Sequence, residues 1–214
     1  MLYGANFTDP GLDEWYHEGG GTMRLEEPGV MRIEIIGSKQ GAAGCQAFCR
    51  RSFPDRIAVE YDLKILTRNG LVITFLGMAG LNDEDLITGG LPAREGVFRD
   101  YTGKDALVKS YHVSVSRYND KGEHTGVSNW RRNPGLHLVG QGEDLCRESD
   151  RWYRVRLVKD GSHCELHVDG KLAHEFTDPQ ALETPLPTAG KVGFRAIGAN
   201  VQALIRNFRV STLP

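Results

Sequence analysis

The sequence predicts an all-β protein, a jelly-roll sandwich of two antiparallel sheets, in a single domain over residues 1–214. Three observations lead to this fold. Short runs of alternating apolar and polar residues recur along the chain, tight-turn signals separate them, and no helical apolar pattern exceeds about ten residues. The 26 glycines suit many turns, and a hydrophobic content of 40% suffices for a core.

Each predicted strand is bounded by turn residues. Glu27-Pro28-Gly29 separates the first two, and Asp160-Gly161 and Asp169-Gly170 divide a three-stranded meander. The predicted strands are Thr22–Glu26, Val30–Ile36, Ile57–Leu66, Leu71–Met78, Tyr111–Tyr118, Trp152–Lys159, His163–Val168, Lys171–Thr177, Lys191–Ala196 and Ala203–Val210. Alternation places Val59, Tyr61, Leu63, Val113 and Val115 in the core.

The stretch from Gly80 to Lys109 shows little alternation. Connections of this length in a compact domain are usually functional or disordered, and the presence of Phe98 and Tyr101 favours an ordered, functional segment. A short helical turn over 82–87 is an alternative for part of it. Residues 82–85 offer oxygens suited to Ca²⁺, but they lack the EF-hand spacing, and we expect neither a metal nor a cofactor.

Charge and cysteine usage limit the partners. The net charge of −2 does not favour nucleic acid or anionic membranes, and no apolar run approaches the ~20 residues that span a bilayer. The spacing of Cys45, Cys49, Cys146 and Cys164 matches no zinc motif, and Cys45 and Cys49 would lie ~13 Å apart on a strand. With no signal-peptide pattern at the N-terminus, these features predict free thiols and a cytoplasmic protein.

One strand has an unusual polar face. In Tyr111–Tyr118, the face opposite the core carries His112, Ser114 and Ser116 rather than Lys and Glu. This pattern favours a concave, ligand-holding groove, although a plain solvated face is the alternative.

The middle of the chain is basic. Arg94–His137 contains eight Lys or Arg against five Asp or Glu, a balance of +3 that leaves −5 for the remainder, and it holds three of the seven histidines. Such a patch attracts anionic ligands, and arginine matches a carboxylate in bidentate geometry. Random scatter of charge over a loop-rich surface is the alternative.

Several motifs carry a family resemblance. The closing segments WYRVRLVKDG…VDGKL…FTD (Trp152–Asp178) and GKVGFRAIGANVQALIRNFRV (Gly190–Val210) resemble concanavalin A-like domains. EYDLKIL (Glu60–Leu66), LPAREGVFRDYTGKDALVKSYHVSVSR (Leu91–Arg117) and SNWRRNPGLHLVGQG (Ser128–Gly142) resemble the YesU-like family of bacterial proteins. The resemblance implies a concanavalin A-like jelly roll and, through the family's association with pectin and rhamnogalacturonan use, uronate-containing oligosaccharides as ligands.

Uronates undergo β-elimination when their carboxylate is neutralised and a base removes the C5 proton. The predicted catalytic residues are His112 and Tyr101, as base and acid, and Arg131, which neutralises the carboxylate. Further predicted substrate-binding residues are Asn129, Arg99, Arg117, His137 and Trp130, the last as a stacking platform. The sequence thus predicts a lyase or dehydratase that acts on uronate-containing oligosaccharides.

Other interpretations stay open. His112 also fits a hydrogen-bonded sheet histidine, Tyr101 a loop anchor and Trp130 a core residue, and Arg131 or Arg132 could pair with Asp120 or Glu123. One rival function is a non-catalytic saccharide-binding protein. Another is a glycoside hydrolase with acids from separate strands, because Glu60-Tyr61-Asp62 begins an E-x-D-x-x-E pattern whose third acid is replaced by Ile65.

Overall fold

A computed structural model of the protein describes residues 1–7, 11–35, 44–179 and 181–214. It confirms the predicted sandwich of antiparallel sheets, and the predicted end of one strand at Ile36 lies outside the described residues. In chain order the strands are β1 (Tyr3–Gly4), β2 (Trp15–Glu18), β3 (Thr22–Glu27), β4 (Val30–Glu34), β5 (Cys45–Cys49), β6 (Ile57–Ile65), β7 (Gly70–Gly80), β8 (Val108–Tyr118), β9 (Val127–Asn133), β10 (His137–Glu143), β11 (Tyr153–Asp160), β12 (His163–Val168), β13 (Lys171–Thr177), β14 (Lys191–Ile197) and β15 (Gln202–Thr212). A 3-10 turn (Gly11–Glu14) precedes β2, and one short helix, α1 (Phe98–Thr102), precedes β8.

The strands form two sheets. The eight-stranded sheet has the order β13-β12-β11-β6-β15-β4-β3, with β1 added beside β15, and the seven-stranded sheet has the order β10-β9-β8-β7-β14-β5-β2. Every strand pairing among the described residues is antiparallel. None of the helices among the described residues is long and apolar enough to cross a bilayer.

The core lies between the two sheets. The five residues predicted for it, Val59, Tyr61, Leu63, Val113 and Val115, are all buried there. The four cysteines are buried and free, as predicted. Alternation along the strands therefore identified the correct inward face of each sheet.

The other face of the seven-stranded sheet, which we call the outer face, is partly covered as well. A second apolar cluster joins Phe75 of β7 to Leu86 and Tyr101 of the segment 81–107. The alternative of a short helical turn over 82–87 is not what the structure shows, since that stretch forms turns and the helix lies at α1. The expected open groove is consequently closed over β7, β14 and β5, because Phe75 and its neighbours need an apolar cover.

Candidate functional site

Two rows of side chains cross the outer face from edge to edge. Directly opposed residues of antiparallel strands project to the same side, so the register defines each row. The first row, from β2 to β10, comprises Glu18, Gln46, Arg195, Ile73, Ser114, Asn129 and Gln141. The second comprises Tyr16, Phe48, Gly193, Phe75, His112, Arg131 and Leu138. The β8–β10 end of both rows is polar except for the exposed Leu138, and its Ser114 and Asn129 are buried. We call this end the arginine face; it comprises His112, Ser114, Asn129, Arg131, Leu138 and Gln141.

His112 stands at the boundary between the cover and the arginine face. Its ring packs 5.1 Å from Phe75 and 6.0 Å from Phe98 of α1, and the residue is 2% exposed. Burial lowers the pKa of His112 to about 3, and the charges of Arg131 and Arg195 act in the same direction. His112 is therefore a neutral imidazole at physiological pH.

Asn133 sets the hydrogen bonding of this imidazole. The Asn133 amide nitrogen lies 2.9 Å from His112 Nδ1 and donates to Ser110 Oγ at 2.9 Å. An amide N–H directed at Nδ1 leaves the ring proton on Nε2, so His112 in this arrangement is a hydrogen-bond donor and not a base. The predicted role of His112 as base thus depends on Asn133.

Arg131 lies directly opposite His112, and Asn129 shares its face, as the spacing predicted. The half-buried Arg131 donates to the carbonyl of Leu136 at 2.6 Å, and Gln141 donates to Asn129 Oδ1 at 2.8 Å. These contacts hold both groups in place, and the part of the chain that the structure describes offers the Arg131 side chain no other hydrogen-bond acceptor, so most of its N–H groups can bind a ligand.

Arg117 adds a second cation nearby. The pairing register of β7 with β8 shifts between Gly70 and Val72, and the neighbouring Ser116 of β8 has a positive φ. Burial lowers the pKa of Arg117, the buried Asp144 carboxylate opposes this shift, and the positive charge of Arg131 adds to it. Arg117 donates to the carbonyl of Val127, and its buried Nε has no partner among the described residues.

A buried polar cluster fastens the cover to the far end of the first row. Arg94 makes two hydrogen bonds to Glu18, at 2.8 and 3.1 Å, and Tyr101 donates its hydroxyl to the same carboxylate. Arg195 lies over the Phe98 and Tyr101 rings and donates to the Gly96 carbonyl at 2.7 Å. Burial lowers the pKa of Arg195 to about 10. These contacts join segment 81–107 to β2 and β14.

The structure corrects several predicted site residues. Tyr101 is fully buried, and both its burial and the adjacent Glu18 carboxylate raise its pKa. Tyr101 therefore anchors the cover and cannot serve as a phenolate base. Trp130 is also fully buried, with its ring 5.5 Å from that of Phe176, so it is a core residue and not a stacking platform. The alternation that places Asn129 and Arg131 outward necessarily turns Trp130 inward.

Two further candidates, His137 and Arg99, lie outside the arginine face. His137 opposes Arg132 in the register, which assigns it to the face that Arg131 does not share. Arg99 of α1 is exposed and lines a pocket of about 190 Å³. Arg132 pairs with Asp178 at 3.1 Å, and neither Asp120 nor Glu123 is its partner.

Sequence reasoning missed Gln141, Asn133 and the Glu18–Arg94 pair. Gln141 could be found from the hairpin that places it opposite Asn129, but a bulge between Leu138 and Gly140 shifts the register. The Glu18–Arg94 contact joins residues 76 positions apart, and no local pattern signals it.

Fold and site together define the class, a galectin-like or jelly-roll β-sandwich with a polar, arginine-bearing sheet face. Within this class the chain belongs to the family described as Domain of unknown function (DUF1961), which it matches over residues 1–210. It is 29% identical over 203 residues to the uncharacterized protein YesU of Bacillus subtilis (strain 168), which covers 93% of this chain and 89% of YesU. The predicted resemblance to YesU-like proteins is thereby confirmed.

Solved structures agree on the fold. A Bacillus subtilis protein of unknown function with a galectin-like fold aligns with a TM-score of 0.85 and 27% identity, over 99% of this chain and 95% of that chain. The Bacillus subtilis carbohydrate-binding module CBM66 aligns at TM-score 0.58 and 12% identity, over 93% and 96% of the two chains. The Bacillus licheniformis β-glucanase aligns at 0.60 and 13%, over 99% and 98%. Likeness to the last two concerns the fold alone.

Proposed function

We propose that this protein binds an acidic oligosaccharide, one that contains uronate residues, on the arginine face. The observation that carries the proposal is Arg131, whose guanidinium forms no salt bridge with any carboxylate among the described residues. Arg117 adds a second positive charge, which the buried Asp144 carboxylate partly offsets. Partly buried guanidinium groups without an acid partner favour a negatively charged ligand.

The neighbouring groups suit a sugar. A uronate carboxylate would accept a bidentate pair of hydrogen bonds from Arg131, while ring hydroxyls would exchange hydrogen bonds with Asn129, Gln141 and Ser114. The neutral His112 imidazole adds a donor without adding charge. Sandwiches whose names specify a carbohydrate-binding module and a β-glucanase share this fold, which supports a saccharide as the ligand.

A hydrolytic mechanism receives little support. Glycosidases of the usual kind need two carboxyl groups across the scissile bond. Glu18 is the one carboxylate in the two rows, which consist entirely of described residues, and it is occupied by Arg94 and Tyr101.

The predicted β-elimination is the second candidate, and it requires the opposite orientation of the Asn133 amide. Asn133 Oδ1 is buried and has no partner among the described residues, whereas its amide nitrogen faces both Ser110 Oγ and His112 Nδ1. A half-turn of the amide would let Oδ1 accept hydrogen bonds from the Ser110 hydroxyl and from Nδ1–H. His112 Nε2 would then carry a free lone pair directed away from Asn133.

In that state a uronate held by Arg131 supplies the remaining requirements. Its carboxylate favours the imidazolium form of His112 and so opposes the effect of burial. Nε2 takes the C5 proton, the C–H electron pair forms the C4–C5 double bond, and the C4–O bond breaks. The imidazolium returns its proton to the leaving oxygen. A sugar leaving group makes the enzyme a lyase, and water makes it a dehydratase.

One titration with product analysis distinguishes the two candidates. The protein is incubated with saturated and unsaturated oligogalacturonides, and binding heat, enol-ether absorbance and product masses are recorded. Saturable binding without turnover supports the binding protein, whereas the loss of one water or chain cleavage with a new double bond supports elimination. No binding and no turnover contradicts both.

A further inference from the structure

We infer that the outer strands of the eight-stranded sheet hold a divalent transition-metal site, of the Zn²⁺ type, formed by His163, Glu165 and Glu175. These three residues offer one imidazole nitrogen and two carboxylate oxygens whose atoms all lie within 4.8 Å of one another. The site is on a different sheet from the arginine face and is independent of the proposed function.

Strand geometry brings the three together. His163 and Glu165 are two residues apart on β12 and therefore share one face of the sheet. This face is the solvent side, because Cys164 and Leu166, which alternate with them, are buried. Glu175 of β13 lies directly opposite Glu165 in the register. Two carboxylates in direct cross-strand opposition repel each other, so this pairing is unfavourable unless a cation lies between them.

The distances suit a small ion. His163 Nε2 lies 3.3 Å from Glu165 Oε1 and 3.7 Å from Glu175 Oε2. Tetrahedral Zn²⁺, with ligands at about 2.0–2.2 Å, requires neighbouring ligand atoms about 3.3–3.6 Å apart. Small rotations of these partly or fully exposed side chains therefore complete three protein ligands and leave a fourth position for water.

The surrounding contacts orient the ligands as metal sites require. His163 Nδ1 lies 3.1 Å from Thr177 Oγ1, and a proton on Nδ1 donated to that hydroxyl leaves the Nε2 lone pair directed at the two carboxylates. His167 Nε2 lies 2.6 Å from the other oxygen of Glu165 and fixes that carboxylate. Imidazole together with carboxylate selects first-row transition metals over Ca²⁺ and Mg²⁺, which prefer oxygen ligands alone.

A metal bound here links β12 to β13 at the edge of the sheet, and its binding therefore stabilises the fold. At a free Zn²⁺ concentration about 100 times the Kd, the ratio of folded to unfolded protein rises about 100-fold, which raises the melting temperature by several degrees. Ca²⁺ at the same concentration should leave it unchanged.

The test is calorimetric titration of untagged, EDTA-treated protein with Zn²⁺ and then Ca²⁺, paired with thermal unfolding. We expect one Zn²⁺ per chain, with His163→Gln and Glu175→Gln each weakening binding at least about tenfold and removing the thermal shift. His137→Gln serves as a matched control that removes a histidine elsewhere and should bind normally. All three side chains are at least partly exposed, so the variants fold. Absence of stoichiometric binding, unchanged affinity in both variants, or equal affinity for Ca²⁺ would overturn the site.

Discussion

Arg131 and His112 face each other across β9 and β8 as a directly paired couple on the outer face of the seven-stranded sheet. Cross-strand neighbours of this kind have Cβ atoms about 5 Å apart, well within the width of one sugar ring. A uronate carboxylate on Arg131 therefore places the remainder of the same ring beside His112. Both proposed activities, binding of the uronate and its elimination, depend on this pair.

Substitution of Arg131 tests its part in binding. Arg131→Ala should weaken binding of an acidic oligosaccharide about 10–100-fold, because a charge-assisted bidentate contact is lost. Arg131→Lys should restore little, since an ammonium cannot make that contact. The melting temperature should change little, because the guanidinium is half exposed. Arg209→Ala, which removes an exposed arginine of the other sheet, is the control and should bind normally; if it weakens binding as much, the effect is general charge and not a site.

The buried Glu18–Arg94 pair should determine the stability of the cover. Glu18→Ala leaves the Arg94 guanidinium and the Tyr101 hydroxyl buried without their acceptor, so we expect a loss of about 3–5 kcal/mol in urea unfolding. Tyr101→Phe removes one hydrogen bond to the carboxylate and should cost about 1–3 kcal/mol. The exposed pair Glu14–Arg51 provides the comparison, and Glu14→Gln should leave the free energy of unfolding almost unchanged. A small effect of Glu18→Ala would show that the cover is not fastened by this carboxylate.

The buried, neutral His112 predicts a pH dependence of stability. Its pKa is about 3 in the folded state, below the value of about 6.5 for a free histidine, so between these values the unfolded state binds the extra proton. The contribution of neutral His112 to the free energy of unfolding is complete above pH 6.5. It is lost as the pH falls toward 3, with a slope of at most about 1.4 kcal/mol per pH unit.

His174, whose pKa burial lowers to about 4, contributes in the same way, so His112→Gln should reduce the slope without abolishing it. Unfolding of wild type and variant at several pH values between 4 and 8 measures the difference. Equal slopes for the two proteins would contradict a neutral His112.

The sequence predicted the sandwich because alternation and Asp-Gly turns are local signals. The inward faces of β6 and β8 follow from them, and so does the common face of Asn129 and Arg131. The same alternation along β9 places Trp130 in the core. For these residues the spacing along one strand is sufficient.

What escaped prediction depends on contacts between distant segments. The burial of His112 results from Phe98 on α1, which belongs to a segment without periodicity. Tyr101 changes from a candidate acid to an anchor because Glu18, 83 positions away, receives its hydroxyl. Exposure and pKa at such positions are tertiary properties, and alternation carries no information about them.

The measurement that tests the central claim most directly is a titration with two ligands that differ only at the carboxyl group, an oligogalacturonide and its fully methyl-esterified form. The account predicts saturable binding of the acid to the wild-type protein, binding of the ester at least about tenfold weaker, and loss of that preference in Arg131→Ala. Equal affinity for acid and ester, or a preference for the acid that persists in Arg131→Ala, would contradict recognition of a carboxylate by the arginine face.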